Sequence, residues 1–265
     1  MTLRKSTLQI FVLFSGFLLS SCSKSTTDTN QLKPAELSYG DPVIYPHDQS
    51  SDYLVYPVNQ KTGNYSASPE GMIINQQTGA INISKSETGM KYMVTYTSPS
   101  GEISTTPVTL SGINFRDGIY HLSSGDSIIS PVYVGNGPGI PNGSKFDDGN
   151  GAHASGCDVK TGNGSINLAQ TVRNGALGLL PLNDSRRDIN IMYRVNDFSN
   201  KASNKILVRF FYYHTIADIA PDVLQTFHDR GEDGLLSTPP GIANDRSFVT
   251  ERGKPRPPCV VLIAD

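Results

Sequence analysis

Apolar residues follow two patterns along this chain. Residues 8–19 form one largely apolar run without a charged residue, which Arg4 and Lys5 precede. From residue 40 onward, apolar residues occur in short segments that alternate with polar residues, and turns rich in Gly, Pro and Asn separate these segments. An alternation with a period of two is typical of β-strands that bury one face. The pattern therefore predicts an all-β protein behind a short apolar leader.

The strands are predicted in two groups. Tyr92 and Val94 alternate with polar neighbours in the first group, as do Ile206 and Val208 in the second. One short helix is predicted over residues 217–230. The predicted strands are 40–46, 52–57, 64–69, 91–97 and 103–112 in the first group, and 118–122, 126–134, 186–195, 204–213 and 258–264 in the second.

One segment occurs twice in the chain. Residues 71–86 recur 85 positions later as residues 156–171. Each copy reads as a short strand, a glycine turn and a second short strand, so the repeat predicts two related β domains. The identical matched residues are Gly71 and Gly156, Gly79 and Gly164, Ile81 and Ile166, and Asn82 and Asn167.

A longer motif surrounds the first copy. It combines a glycine, a Thr-Gly turn, an Ile strand and, with one extra residue, a closing Gly-x-Tyr-x-Val-Thr strand. The residues are Gly71, Thr78, Gly79, Ile81, Gly89, Tyr92, Val94 and Thr95. Residues 40–112 thereby resemble the Ig-like and cadherin-like repeats of bacterial surface proteins. The resemblance implies an all-β fold of two tandem sandwich domains, 40–112 and 113–265, the second elaborated with a Gly-rich loop at 135–156 and a short helix.

Composition narrows the classes of function. Apolar residues make up 37% of the chain and charged residues 17%, while Gly 25 and Pro 17 favour many turns. A formal net charge of −2 and a pI near 6.2 lack the basic surface of a nucleic-acid-binding protein, so nucleic acid is excluded as a partner. Trp is absent, so an aromatic platform for sugars would consist of Tyr or Phe.

The N-terminal run predicts a membrane anchor. Its 12 residues are too few to cross a bilayer but suit a secretory signal. The run ends in Leu19-Ser20-Ser21-Cys22, which resembles the lipobox of bacterial lipoproteins. The resemblance implies a signal peptide at residues 1–21, lipidation of Cys22 and a flexible tether at residues 22–39. Ser23 after the cysteine implies an outer-membrane lipoprotein of a Gram-negative bacterium, on the periplasmic or the cell-surface face.

One short segment resembles a catalytic motif, but the residues that catalysis needs are missing. Gly125-Asp126-Ser127-Ile128 resembles the signature of a serine hydrolase family, but that family supplies its base in a late Asp-x-x-His, and none of the five histidines has Asp three residues before it. We therefore expect no enzyme.

Two further groups of residues leave alternatives open. Asp147, Asp148 and Asn150 in the Gly-rich loop are a candidate site for Ca²⁺, since this ion prefers oxygen ligands. The alternative is a solvated loop that binds no cofactor. Cys157 and Cys259 either form a disulfide or remain two separate buried thiols.

The expected function is therefore contact through a surface. We expect a non-catalytic lipoprotein that acts in adhesion, scaffolding or ligand contact. The alternative is a glycan-binding lipoprotein of a polysaccharide uptake system, in which tyrosines replace the usual Trp. The ligand would be an unknown protein or glycan, and the membrane is a partner through the lipid. The tyrosines that would form such a surface are Tyr39, Tyr45, Tyr53, Tyr56 and Tyr65.

Overall fold

The structure is a computed structural model that describes residues 36–123, 127–230 and 257–264. Within these ranges it consists mainly of β-strands, with three short α-helices, so the all-β prediction is confirmed. The helices are α1 (Gly151–Ala154), α2 (Leu168–Arg173) and α3 (Pro221–Asp229). The strands are β1 (Val43–Ile44), β2 (Leu54–Val55), β3 (Asn64–Ser68), β4 (Ile81–Asn82), β5 (Met90–Thr97), β6 (Ile103–Leu110), β7 (Gly112–Asn114), β8 (Gly118–His121), β9 (Ile128–Ile129), β10 (Val132–Val134), β11 (Lys145–Phe146), β12 (Asp158–Val159), β13 (Ile166–Asn167), β14 (Ser185–Arg194), β15 (Ser203–Tyr213) and β16 (Cys259–Ile263).

The first half of the described chain, residues 36–110, is built on one four-stranded sheet. Its strand order is β1-β6-β5-β3, with β1 parallel to β6 and the other pairs antiparallel. Strands β2 and β4 form a separate antiparallel pair. Along β5 the odd residues face solvent and Met90, Tyr92, Val94 and Tyr96 enter the core, as the alternating sequence predicts.

The second half, residues 111–264, is built on a five-stranded sheet. Its strand order is β11-β14-β15-β16-β8. The long antiparallel pair β14–β15 matches the predicted strands 186–195 and 204–213. Alternate residues of β15 are buried until Phe210, after which every residue is buried. The change follows from packing: Phe210 and Tyr212 face the main core, whereas Phe211 and Tyr213 lie under α3 on the opposite face.

Strand β16 distinguishes the two halves. In the first half, β1 pairs directly with the last strand, β6. In the second half, β16 lies between β15 and β8 and is parallel to both. All five of its residues are buried, because both faces of the sheet are covered at this position. The C-terminal strand predicted at residues 258–264 is thus confirmed, and it occupies the interior of the sheet.

A buried ion pair holds the start of β16. The backbone N–H of Cys259 donates to Asp117 Oδ1 at 2.6 Å, and Arg230 Nη1 donates to Asp117 Oδ2 at 2.6 Å. Arg230 Nη2 also donates to the carbonyl of Pro257 at 3.1 Å. Burial raises the pKa of Asp117 above its ordinary value, because it outweighs the lowering effect of the Arg230 charge. This contact joins the ends of α3, β16 and β8 at one point.

The sequence repeat is a structural repeat. The backbone N–H of Ile73 donates to Ser86 Oγ at 2.9 Å, and Ser86 Oγ donates to the carbonyl of Asn82 at 2.7 Å. In the second copy, the N–H of Asp158 donates to Thr171 Oγ1 at 3.0 Å, and Thr171 Oγ1 donates to the carbonyl of Asn167 at 2.8 Å. Identical contacts at matched positions explain why Ser86 and Thr171 both carry a hydroxyl.

The glycine turns of the repeat also match. Gly79 and Gly164 have φ angles of 72° and 74°, in the left-handed region that favours glycine. A Cβ on Gly79 would lie 2.7 Å from the ring of Tyr65, and one on Gly164 would lie 2.6 Å from the ring of Phe146. Each glycine therefore permits both the turn and the close approach of an aromatic ring.

Some predicted elements differ in the structure. The second strand of each repeat copy is only two residues long, and in the second copy the Asn167 side chain accepts the Gln170 N–H and starts α2. The Gly-rich loop at 135–156 contains β11 and α1. The predicted helix at 217–230 is a 3₁₀ turn (Ile216–Asp218) followed by α3, because Pro221 favours a helix start.

The two halves meet in a tight backbone junction. A Cβ on Gly89, whose φ is 70°, would overlap the carbonyl of Ile113. Close by, the hydroxyls of Thr88 and Tyr193 share a hydrogen bond of 3.0 Å, and Asn204 Nδ2 donates to Thr88 Oγ1 at 2.8 Å. All described residues lie within one compact unit, Ala35–Asp265. The division into domains at residue 112 stays a prediction.

The substitution Gly89→Ala tests this junction. Gly101 serves as a matched control, because its φ is 88° and nothing lies within 4 Å of a Cβ built there. Both alanine variants incur the strain of a left-handed residue, about 1–2 kcal/mol. Only Gly89→Ala adds a steric overlap, which costs about 1–3 kcal/mol more. Urea unfolding measures both, and equal losses of stability would contradict the described junction.

Candidate contact surface

The five predicted tyrosines divide between core and surface. Tyr39 and Tyr65 are buried, and the Tyr39 hydroxyl donates to the carbonyl of Gly79 at 2.7 Å. Burial raises the pKa of Tyr39. Tyr45 and Tyr53 are partly exposed, and Tyr56 is exposed. The structure therefore leaves three of the five tyrosines available for contact with a ligand.

Two aromatic pairs form the candidate surface. Tyr45 packs edge-on against Phe198, with ring centroids 5.3 Å apart, and His47 packs against Tyr53 at 5.2 Å. We call these four residues the aromatic surface. Phe198 is 72% exposed although it is a large apolar side chain. The sequence analysis did not single out Phe198, although the signal was present: a phenylalanine among the polar residues Asp197, Ser199 and Asn200 between two predicted strands.

Asp197 holds the Phe198 turn in place. Its Oδ2 accepts hydrogen bonds from Ser111 Oγ at 2.7 Å and from the Tyr133 hydroxyl at 2.9 Å. Its Oδ1 accepts the backbone N–H of Ser199 at 2.9 Å. Burial raises the pKa of Tyr133 above its ordinary value. The hydroxyl is therefore protonated at neutral pH and can donate to Asp197. The exposed Phe198 ring therefore stands on a rigid support.

A second carboxylate links the segment after β1 to the start of β15. Asp48, one residue after His47, accepts the backbone N–H of Ser203 at 3.0 Å. Arg194 Nη1 lies 3.4 Å from Asp48 Oδ2, and Arg194 Nε donates to Asp148 Oδ2 at 2.5 Å. These contacts keep the segment after β1 close to the β14–β15 turn, which brings Tyr45 to Phe198.

The residues proposed for calcium have intramolecular partners. The buried carboxylate of Asp147 accepts the backbone N–H of Ala152 at 2.7 Å and that of His153 at 3.1 Å, and it pairs with His153 Nδ1 at 2.5 Å. Asp148 binds Arg194 instead. Asn150 adopts a φ of 58° before α1 and makes no side-chain cap. Across the described ranges, no group of three or more His, Cys, Asp and Glu side chains could hold a metal ion.

The Asp147 contacts predict a pH-dependent stability. Burial tends to raise the pKa of Asp147, but the hydrogen bonds from His153 and Ala152 outweigh it, so the pKa lies below the ordinary value of 3.8. A depressed native pKa means that the stabilisation is present above the unfolded pKa and is lost as pH falls through the native pKa.

Asp147→Asn tests this effect, since Asn also tolerates the φ of 52° at this position. We expect a loss of about 1–3 kcal/mol at pH 7, the typical contribution of hydrogen bonds to a charged group. The difference from the parent should narrow below about pH 4. Urea unfolding at pH 7 and pH 3 measures it, with exposed Asp41→Asn as control. A difference that is constant with pH would contradict the ionised Asp147.

The two cysteines lie on opposite faces of the five-stranded sheet. Cys157 belongs to the main core together with Val260 and Leu262, whereas Cys259 belongs to the cluster under α3. Both are free thiols, so the structure corresponds to the separate-thiol alternative rather than to the disulfide. Burial raises the pKa of Cys157 to about 12 and that of Cys259 to about 11, which makes both thiols poor nucleophiles.

The remaining predicted residues have simple positions or lie outside the described residues. Ser127 uses its backbone carbonyl to accept the N–H of Leu168 at 2.6 Å, as Tyr53 does for Ile83 in the first half. Cys22, Gly125 and Asp126 lie outside the described residues. Among the helices that the structure describes, none has the length and apolar character to cross a bilayer.

Comparisons with known proteins give only distant similarities. The chain matches no known protein family and no curated protein sequence. Three solved structures are similar over part of their length: the human desmocollin-1 ectodomain, extracellular cadherin domains 3–6 of protocadherin gamma B2, and the insect immune protein hemolin. The domain arrangement of hemolin is described as having implications for homophilic adhesion.

The sequence identities and TM-scores of these three structures are low. Identities are 17%, 10% and 10%, and TM-scores are 0.21, 0.19 and 0.22, respectively. The alignments cover 64%, 65% and 66% of this chain but only 35%, 46% and 45% of those chains. Similarities at this level carry no argument about function, and the all-β class rests on the strand pairing itself.

Proposed function

We propose that this protein is a non-catalytic surface lipoprotein that makes adhesive or scaffolding contacts through the aromatic surface. The observation that carries the proposal is the exposed Phe198 ring, which packs on Tyr45 while Asp197 holds its turn in place. A rigid, exposed aromatic group buries a large area on binding at little cost in conformational entropy. Such groups are frequent among the residues that dominate binding energy at protein interfaces.

The anchor is the second part of the proposal. Lipidation at Cys22, followed by a polar tether at residues 22–39, would attach the folded region to the outer membrane. The folded region would then face the periplasm or the cell exterior. The anchor would thereby hold the aromatic surface close to ligands at the same membrane surface.

A second candidate function is glycan capture for a polysaccharide uptake system. The observation that favours it is the packing of Tyr53 against His47, which follows closely after Tyr45 of the Tyr45–Phe198 pair in the chain. Aromatic faces with polar edges suit the apolar faces and hydroxyls of sugar rings. The two candidate functions share one surface and differ in the ligand.

The double variant Tyr45→Ala/Phe198→Ser tests the contact function. We expect capture of partners from surface-labelled cells to fall about tenfold or more, since aromatic anchors at interfaces often contribute at least about 2 kcal/mol. Ile103→Ser, which removes another exposed apolar residue, should leave capture unchanged. A glycan array measured with the same three proteins separates the two functions: saturable binding to one polysaccharide indicates glycan capture. Equal capture by all three proteins would exclude the aromatic surface from either function.

Cys22→Ala tests the anchor. Expressed in a Gram-negative host with labelled palmitate, the parent chain should incorporate label and fractionate with membranes. The variant lacks the thiol that forms the thioether, so it should incorporate no label and should leave the membrane fraction or accumulate as precursor. Unchanged labelling or unchanged membrane attachment of the variant would contradict a lipid anchor at this residue.

A further inference from the structure

Three leucines face solvent in the segment that connects α2 to β14. Leu179, Leu180 and Leu182 are 91%, 88% and 72% exposed, respectively. We call these residues the leucine loop. Scattered single apolar residues are ordinary on a protein surface, but a contiguous exposed group marks a site of interaction with a protein or a membrane.

Backbone contacts fix the leucine loop in this orientation. On one side, the N–H of Gly178 donates to the carbonyl of Gly175 at 2.9 Å. On the other side, the N–H of Leu182 donates to Ser185 Oγ at 3.0 Å, and the N–H of Ser185 donates to the carbonyl of Leu182 at 3.0 Å. These contacts hold the backbone on both sides of the leucine loop, which reduces the ordering that binding requires.

A cavity with cationic residues adjoins the leucine loop. Its volume is about 450 Å³, and its lining includes Gly156, Asn174, Gly175, Gly178, Arg186 and Arg187. Arg186 is neutralised by Asp184 at 2.8 Å and Asp222 at 2.6 Å. Arg187 is exposed and has no acidic partner among the residues that the structure describes. The cavity therefore offers one available guanidinium beside a set of apolar side chains.

Arg173 adds a second cation at the end of α2. It is exposed, and its guanidinium makes hydrogen bonds of 3.1 and 2.9 Å to the neutral amide of Gln170. Arg173 directly precedes Asn174 of the cavity lining. Apolar side chains flanked by cations that lack acidic partners are the combination that binds an anionic lipid surface, where phosphates and hydrocarbon lie within a few ångströms.

We propose that this face of the protein binds an anionic lipid bilayer. Leu179, Leu180 and Leu182 enter the boundary of the hydrocarbon, Arg173 and Arg187 contact lipid phosphates, and the cavity receives a headgroup. A second copy of the chain fits less well, because a two-fold contact would bring the cations of one copy against those of the other. A free anion would occupy the cavity but would leave the leucines exposed. The proposal does not rest on the proposed function, since it concerns only the folded region.

Vesicle binding tests the proposal. The protein is the chain from residue 22 to 265 with Cys22→Ser, which contains every described element and cannot be acylated there. The probes are vesicles of phosphatidylcholine, with and without phosphatidylglycerol, in a sedimentation assay at two salt concentrations. We expect binding to the anionic vesicles, reduced about tenfold or more in Leu179→Ser/Leu180→Ser. Arg187→Gln should reduce it about fivefold and weaken its salt dependence.

The matched control is Val58→Ser/Ile103→Ser, which removes two exposed apolar side chains from the first half. This control should bind the vesicles like the parent. Circular dichroism confirms that each variant is folded, and since the replaced residues are exposed, unfolding is not expected.

Several results would overturn the proposal. One is a folded parent that does not bind anionic vesicles, and another is equal binding by the leucine variant. Dimerisation of the parent that the leucine variant lacks, without vesicle binding, would assign this face to a second copy. A melting temperature raised by inorganic phosphate in the parent but not in Arg187→Gln, without vesicle binding, would assign the cavity to a free anion.

Discussion

The backbone junction between the two halves is the constraint on which the rest of the structure depends. Gly89 and Ile113 approach so closely that no side chain fits between them. Thr88, Tyr193 and Asn204 surround this contact with hydrogen bonds. Because these contacts join the two halves, Tyr45 of the first half can stay against Phe198 of the second. The aromatic surface is a product of this junction and belongs to neither half alone.

Strand β16 explains how two halves with one repeated motif acquire different sheets. The repeated segments share their turns and their hydroxyl hydrogen bonds, and each packs a glycine under an aromatic ring. In the second half, β16 separates β8 from β15, and the widened sheet is covered by α3 on its other face. The Asp117–Arg230 pair joins these additions to the sheet. Strand β16 and helix α3 thus enlarge the second half, while the repeated motif keeps the same contacts in both halves.

Loops attached to this framework carry the features that suit binding. The Phe198 turn is held by Asp197, and the leucine loop is held by Ser185. Both present large apolar side chains to solvent on backbone that hydrogen bonds already order. Pre-ordered apolar groups lose little entropy on binding, so both loops suit contact functions. The buried thiols and the internally paired Asp147 and Asp148 serve the fold instead.

Local sequence determined the strands, the turns and the repeat. A period of two decides which side chains of β5 or β14 share a face, and a glycine with a positive φ decides where a turn forms. These are properties of neighbouring residues, so residues 71–86 and 156–171 could be matched without coordinates. The all-β class follows from them directly.

Only the tertiary structure decided which elements are neighbours. By its sequence alone, an apolar strand such as β16 fits the edge or the centre of a sheet equally well. Its place is decided by pairing with β15, where Arg209 lies opposite Cys259, and with β8, where Gly118 lies opposite Val260, so both neighbours are distant in the chain. Along the sequence Asp148 resembles a candidate metal ligand, whereas the fold places Arg194 of β14 against its carboxylate. The exposure of Phe198 and Leu179 is likewise decided by tertiary structure. Alternation predicts which side chains share a face, whereas long-range packing determines what covers that face.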